Sequence, residues 1–134
     1  MHMQRIRNMG LRLTPQRIAI LEYLDGNVNH PSAEEIYNAV AKKYPTISFA
    51  TVYNTLETLK RKKGILELTI DPRRRRYDPN TEPHHHIICV QCRKVADVHA
   101  DFDLRLPESN VEGFKVLSKQ VEFYGICPEC DNQN

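Results

Sequence analysis

The sequence has 134 residues, 40% of them hydrophobic and 27% charged, which allows one ordinary domain or two small ones. It has no apolar stretch near membrane-spanning length, no low-complexity tract and, over residues 1–10, no apolar run of the kind a secretory leader needs, so the expected compartment is the cytoplasm. The net charge of +2 hides a division: residues 1–78 hold 14 Lys/Arg and 8 Asp/Glu, residues 79–134 hold 5 and 9, and the basic front half is a candidate for nucleic acid.

Thr14-Pro15 opens the first expected helix, because Thr caps well and Pro suits the first helical position. Ile18, Leu21 and Leu24 fall on one stripe, and Gly26 ends the helix. Ser32-Ala-Glu-Glu35 is a capping box for a second helix, whose buried face is Ile36, Ala39 and Val40 and which Pro45 stops. Ser48 caps a third helix, with Phe49, Val52, Leu56 and Leu59 as its inward stripe and Gly64 as its close. A strand is expected over 65–70, where Leu66, Leu68 and Ile70 alternate with Glu67 and Thr69. Asp71-Pro72 then turns the chain into Arg73-Arg-Arg-Arg76. Three short capped helices and a two-stranded ribbon are the layout of a winged helix-turn-helix.

The third helix should present Thr51, Tyr53, Asn54, Thr55 and Thr58 outward, followed by Lys60-Arg-Lys-Lys63. Short hydroxyl and amide side chains near a helix start can reach base edges in a major groove. The lysines, and Arg73, Arg74 and Arg75 on the wing, can reach phosphates. The lysine run alone could equally be a favourable charge cluster at a helix C-terminus. Four adjacent cations at a hairpin tip repel one another, and a polyanion relieves that repulsion.

A hinge-like stretch, 79–83, leads to His84-His85-His86-Ile-Ile-Cys89. In extended chain His84 and His86 share one face, with His85 on the other. Asp97, in the strand-like Val95-Ala-Asp-Val98, can return a carboxylate to the same place. Imidazole and carboxylate donors suit Fe(II), Mn(II) or Zn(II) and bind reversibly. His30 stands alone before Pro31 and, taken by itself, reads as a turn or surface residue; His2 and His99 read as surface residues.

Cys89-Val-Gln-Cys92 and Cys127-Pro-Glu-Cys130 hold every cysteine of the chain, and 34 residues separate the pairs. Each pair can present two thiolates from one knuckle, and together they supply four ligands for a closed tetrahedral zinc site. A cytosolic compartment disfavours disulfides, a thioredoxin-like motif needs only one such pair, and the paired spacing argues against four unrelated thiols. The zinc is therefore read as a structural staple. Further strands are expected over 87–90, 95–98, 114–117 and 121–126. So small a sheet is expected to pair with a second copy, which also suits two-fold operators. The fold class expected is α+β: a winged helix-turn-helix DNA-binding domain over 1–78, a hinge over 79–83, and a small α/β metal-binding dimerisation domain over 84–134.

Leu13-Thr-Pro-Gln-Arg17, His30-Pro31, Ala50-Thr-Val-Tyr-Asn54, the His84-x-His86-x-x-Cys89-x-x-Cys92 run and the terminal Cys127-x-x-Cys130 together resemble the ferric uptake regulator superfamily, in order and over nearly the whole chain. The resemblance implies a dimeric, metal-dependent transcriptional repressor of double-stranded DNA. It implies a regulatory Fe(II) or Mn(II) site built from His30, Asp78, His84, His86 and Asp97, which makes His30 a ligand. It implies a reading helix over 48–63 with Tyr53 and Asn54 among its contacts, and Arg12 near the minor groove. Asp97 where iron sensors usually carry Glu, Asn54 after the tyrosine, and four zinc cysteines resemble the peroxide-responsive branch. There Fe(II) reacts with peroxide, an imidazole ligand (His30 or His84) is oxidised and the operator is released, whereas a Mn(II) form is insensitive. Pro83 and Lys119 occupy positions that carry histidines of a further metal site in some members, so that site is not expected. The stretch 101–112, where the family usually places a helix, has a poor helical pattern.

Within the same class, an iron- or manganese-responsive repressor without peroxide sensing is the alternative, and two readings of other classes compete. A His/Asp metallohydrolase would need an open coordination position and a base, yet Asp97 is needed as ligand and no nucleophile elbow or phosphate loop is present; no catalytic residue is expected. A zinc-ribbon protein-interaction module would leave the basic wing unexplained. Metal ions and hydrogen peroxide are the only small molecules expected to be engaged.

Overall fold

The structure, a computed structural model, describes residues 3–107 and 111–132, with side chains from Ile6 onward. His2 and Glu108-Ser-Asn110 lie outside the described residues. The chain divides into two compact units, Met1–Glu82 and Pro83–Asn134.

The first unit carries four helices and a two-stranded ribbon: α1 (Met3–Asn8), α2 (Pro15–Leu24), α3 (Ala33–Lys43), α4 (Phe49–Arg61), β1 (Leu66–Leu68) and β2 (Arg76–Asp78). Helix α1 was not among the sequence expectations; its Ile6 is fully buried in the core of this unit. Helices α2, α3 and α4 start where their caps predict. The hydroxyls of Thr14, Ser32 and Ser48 accept from the backbone N–H of Arg17, Glu35 and Thr51 at 3.2, 3.2 and 3.1 Å. Each bond satisfies a donor that the first helical turn would otherwise leave open. Gly26, at φ 68°, ends α2 in the left-handed region that glycine enters without strain.

The stripes need small corrections. Ala19, Ile20, Leu21 and Leu24 are the buried residues of α2, and Ile18 is only half-buried. On α3, Ile36 and Val40 are buried and Ala39 half-buried. Val52, Leu56 and Leu59 of α4 are fully buried, but Phe49 remains 40% exposed, its ring edge-on to Tyr37 at 5.8 Å. Strand β1 is shorter than expected and pairs antiparallel with β2, Leu66 opposite Asp78 and Leu68 opposite Arg76.

The second unit is a three-stranded sheet in the order β4-β3-β5, followed by the short helix α5 (Pro128–Asp131). Strand β3 (His85–Cys89) runs antiparallel to β4 (Val95–Val98) and parallel to β5 (Glu122–Gly125). The strand expected over 114–117 is not formed: Phe114, Val116 and Leu117 are 77%, 56% and 84% exposed in irregular chain. They lack a partner strand, and β-propensity alone does not order an unpaired segment. Residues 101–107 are irregular as well, and 111–113 form a turn.

Candidate metal centres and nucleic-acid interface

In the second unit Cys89 closes β3, Cys92 sits in the tight turn to β4, Cys127 caps α5 and Cys130 lies within it. The turn closes because Arg93, at φ 71°, donates its N–H to the Cys89 carbonyl at 2.9 Å. The four Sγ atoms lie within 4.8 Å of one another, with Cys92 and Cys127 at 3.6 Å. Tetrahedral zinc with bonds of about 2.3 Å spaces its sulfurs by roughly 3.8 Å, so the donors fit that ion. The backbone N–H groups of Cys127 and Cys92 point at Cys89 Sγ from 3.4 and 3.5 Å. They lower its pKa to about 6, whereas the side chain of Cys127, then burial, pushes Cys130 up to about 12. Crowded thiols resist successive ionisation, and a dication at their centre removes that resistance.

The same unit gathers the nitrogen and oxygen donors. Antiparallel register sets His86 opposite Asp97. The Nε2 atoms of His84 and His86 lie 3.1 and 3.4 Å from Asp97 Oδ1, and the two rings stand 4.6 Å apart. His85 turns to the other face, where its Nδ1 accepts from the N–H of Val121 at 3.0 Å and its ring meets Phe102. The alternation read from the sequence thus separates two histidines that face Asp97 from one that packs. His99 is exposed but not idle: its ring stacks on His84 at 5.4 Å and its Nε2 is 3.9 Å from Asp97 Oδ2. Its spacing of two from Asp97 was the signal that could have found it.

In the first unit His30 is 1% exposed, which overturns its reading as a surface residue in isolation. Its Nε2 faces Asp78 Oδ2 at 3.4 Å, and its backbone sits at φ 52°. A left-handed backbone on a non-glycine residue is uncommon and collects at functional positions. Imidazole nitrogen and carboxylate oxygen in both units suit Fe(II) or Mn(II) better than a thiophilic ion.

On α4, Tyr53 and Asn54 are exposed and Thr51 half-buried, as a reading face requires. Thr55 is not on that face. It is fully buried, and its hydroxyl donates to the Thr51 carbonyl at 2.8 Å, so it cannot reach a base. A cleft of about 550 Å³ beside the start of α4 is lined by Arg12, Gln16, Arg17 and Thr51. Arg17, which sequence reasoning missed, donates through Nη1 to the Arg12 carbonyl at 3.0 Å. A second cleft, of about 450 Å³, separates Tyr53 and Lys60 of α4 from Arg73, Arg74 and Arg75.

The wing is less cationic than the sequence suggests. Arg73, Arg74 and Arg75 are exposed, but Arg76 is buried against Asp71, with Nη2 at 3.0 Å. Arg75 pairs with Glu67 at 2.7 Å and Lys60 pairs with it at 3.0 Å. Burial alone would raise the Glu67 carboxyl, yet Lys60 and Arg75 prevail and hold it below the ordinary carboxylate value.

Comparison with known proteins agrees in extent and kind. The sequence model of the Ferric uptake regulator family matches residues 8–124. The "Peroxide-responsive repressor PerR" of Staphylococcus epidermidis is 41% identical over 130 residues, 96% of this chain and 87% of the relative. The structure of the Helicobacter pylori ferric uptake regulator Fur, a protein described as having three functional metal binding sites, aligns at TM-score 0.72 and 27% identity, over 96% of this chain and 87% of that one. PerR from Streptococcus pyogenes, described for peroxide sensing and gene regulation, aligns at TM-score 0.53 and 32% identity, over 96% of this chain and 89% of that one. With four cysteines in one cluster, imidazole–carboxylate sets beside them in sequence and an exposed helix face beside a basic wing, the chain belongs to the ferric uptake regulator family.

Proposed function

We propose that this protein is a metal-dependent transcriptional repressor that binds operator DNA as a homodimer in the cytoplasm and senses hydrogen peroxide by oxidation of its own histidine ligands. The reading is supported by the similarity to the peroxide-responsive repressors of S. epidermidis and S. pyogenes. The observation that carries the reading is the segregation of donors: four sulfurs in one cluster, and imidazoles with carboxylates in the other sets. The thiolate cluster holds zinc and has no open position for chemistry. His30 and Asp78, with His84, His86 and Asp97, serve as ligands of one exchangeable divalent ion. Bound there, Fe(II) supplies the electron that activates peroxide, which Mn(II) does poorly.

The residues do the rest. Nε2 of His84 and of His86 converges on Asp97 Oδ1, so these three atoms would face one ion, each imidazole giving up its Nε2 proton for the lone pair that ligation requires. An imidazole that gained oxygen would be a poorer donor, so the ion would be held less well and operator binding would be lost. One oxidation disables one ligand, so the chemistry is a switch and not a turnover; the chain is not an enzyme. Arg12, Thr51, Tyr53 and Asn54 contact the duplex, and Arg73, Arg74 and Arg75 reach its phosphates.

The test is to treat the Fe(II)-loaded protein with low hydrogen peroxide and analyse its peptides by mass spectrometry. One added oxygen on the peptide bearing His30 or His84, with loss of operator binding, is expected, and the Mn(II) form should stay unmodified. An unmodified Fe(II) form would reduce the protein to a metal-level sensor.

A further inference from the structure

Strand β2 places Arg76 and Asp78 two residues apart, so their side chains leave the same face of the ribbon. Both reach His30. Asp78 Oδ2 meets the imidazole at 3.4 Å, and Arg76 Nη1 donates to the His30 carbonyl at 3.2 Å. Between them, Tyr77 turns into the core and donates its N–H to the Pro31 carbonyl at 2.9 Å. Ser32 forms a further bridge with Arg76. One ligand residue, in a left-handed backbone that it would not choose alone, is therefore gripped at ring and at carbonyl by one strand.

Arg76 also reaches the other way. Its Nε and Nη2 donate to Asp71 Oδ2 at 3.1 and 3.0 Å, both groups being buried. The second oxygen of Asp71 accepts the backbone N–H of Arg73 at 2.9 Å, which fixes the turn carrying Arg73, Arg74 and Arg75. A buried guanidinium with partners on two sides transmits position better than an exposed pair does, because its fork holds both in one plane and removal leaves a buried carboxylate uncompensated.

We propose that Arg76 is the positioning residue that couples the His30–Asp78 end of the metal site to the phosphate-binding turn of the wing. The coupling rests on the proposed function, since it needs a metal that responds at His30. Arg76 touches neither ion nor DNA; it fixes His30 for the ion and, through Asp71, the arginine turn for the duplex. A change in either is felt by the other, and the coupling is reciprocal.

The experiment uses the full-length zinc-bound protein, Mn(II) as the ion, and Arg76→Gln and Asp71→Asn as variants. Mn(II) affinity is measured by titration, and affinity for an operator duplex is measured with and without Mn(II) across a salt series. Expected is a loss of about tenfold in the Mn(II)-induced tightening on DNA in each variant. Without Mn(II) the slope of log affinity against log salt should match that of the wild type, and with Mn(II) it should be shallower in each variant, because the wing arginines are no longer held for phosphates. The double variant should lose no more than either single one. A merely structural role would lower DNA affinity equally with and without Mn(II). That result, or undiminished coupling in Asp71→Asn, overturns the proposal even if Arg76→Gln fails to fold. A wild-type protein whose DNA affinity ignores Mn(II) overturns the proposed function and the coupling together.

Discussion

Glu67 decides how many cations of the reading surface are available to a duplex. It lies between Lys60 and Arg75 and draws both toward itself. Removing its charge by Glu67→Gln releases Arg75 beside the cleft that faces α4 and leaves Lys60 paired with Glu57 alone, at 3.1 Å. Non-specific DNA affinity at low salt should rise, and the salt slope should steepen by roughly 0.9 for each cation that finds a phosphate; fluorescence anisotropy across a salt series reads both. The lowered carboxyl pKa also carries a sign. Glu67 contributes stability above the ordinary carboxylate value, and that contribution is lost as pH falls through its lowered folded value. The acid limb of the wild-type melting profile should therefore be steeper than that of Glu67→Gln. Residues of this kind mark the limit of legibility. The cysteines were readable because Cys-x-x-Cys spacing alone brings two sulfurs together, and His84 and His86 because strand alternation does. Thr55 and Arg76 were misjudged because their neighbours decide their exposure: Thr55 turns back onto its own helix, and Arg76 finds Asp71, five residues away, across the turn.

Helix ends show the same balance between local and distant causes. The starts of α2, α3 and α4 are set by hydroxyls within three residues, and sequence found them all. The close of α4 was assigned to Gly64, but the left-handed residue is Lys63, at φ 59°. Gly64 instead donates its N–H to the Leu59 carbonyl at 2.8 Å, and Lys63 to that of Lys60 at 3.0 Å, the two bonds of a Schellman close shifted by one residue. A Cβ on Gly64 would stand 3.0 Å from Met9 Sδ, so its missing side chain serves packing against the segment after α1. That contact comes from an element the sequence did not announce. Lys63 bears the backbone cost that glycine would avoid. Lys63→Gly should stabilise the first unit by about 1 kcal/mol, seen as a melting temperature higher by a few degrees. Strand 114–117 failed for the opposite reason: its apolar pattern was real, but a strand needs a neighbour, and β5 pairs with β3.

At the scale of the molecule the two units differ in how they are held together. The first buries a continuous apolar core from Ile6 to Tyr77 across four helices. In the second, the buried hydrophobic residues among those described are Ile88, Cys89, Val95 and Cys130, half of them members of the four-cysteine cluster. A core so small cannot offset the chain entropy of ordering three strands, so much of that unit's folding energy must come from closing the four-thiolate cluster. Two classes of metal loss should then have different consequences. Mild chelation should take the ion from imidazole and carboxylate donors, leave one zinc per chain, preserve the far-ultraviolet circular dichroism and abolish specific operator binding. Cys127→Ser, or zinc extraction by a strong thiol-competing chelator, should unfold the second unit while α2, α3 and α4 keep their helical signal. Hydrogen exchange resolved by peptide distinguishes the outcomes: protection lost over 85–98 and 122–131 but retained over 49–61 marks zinc as the staple of one unit. Uniform loss over both would mean that the first unit's core does not stand by itself, and unchanged protection would mean that the sheet folds without its metal.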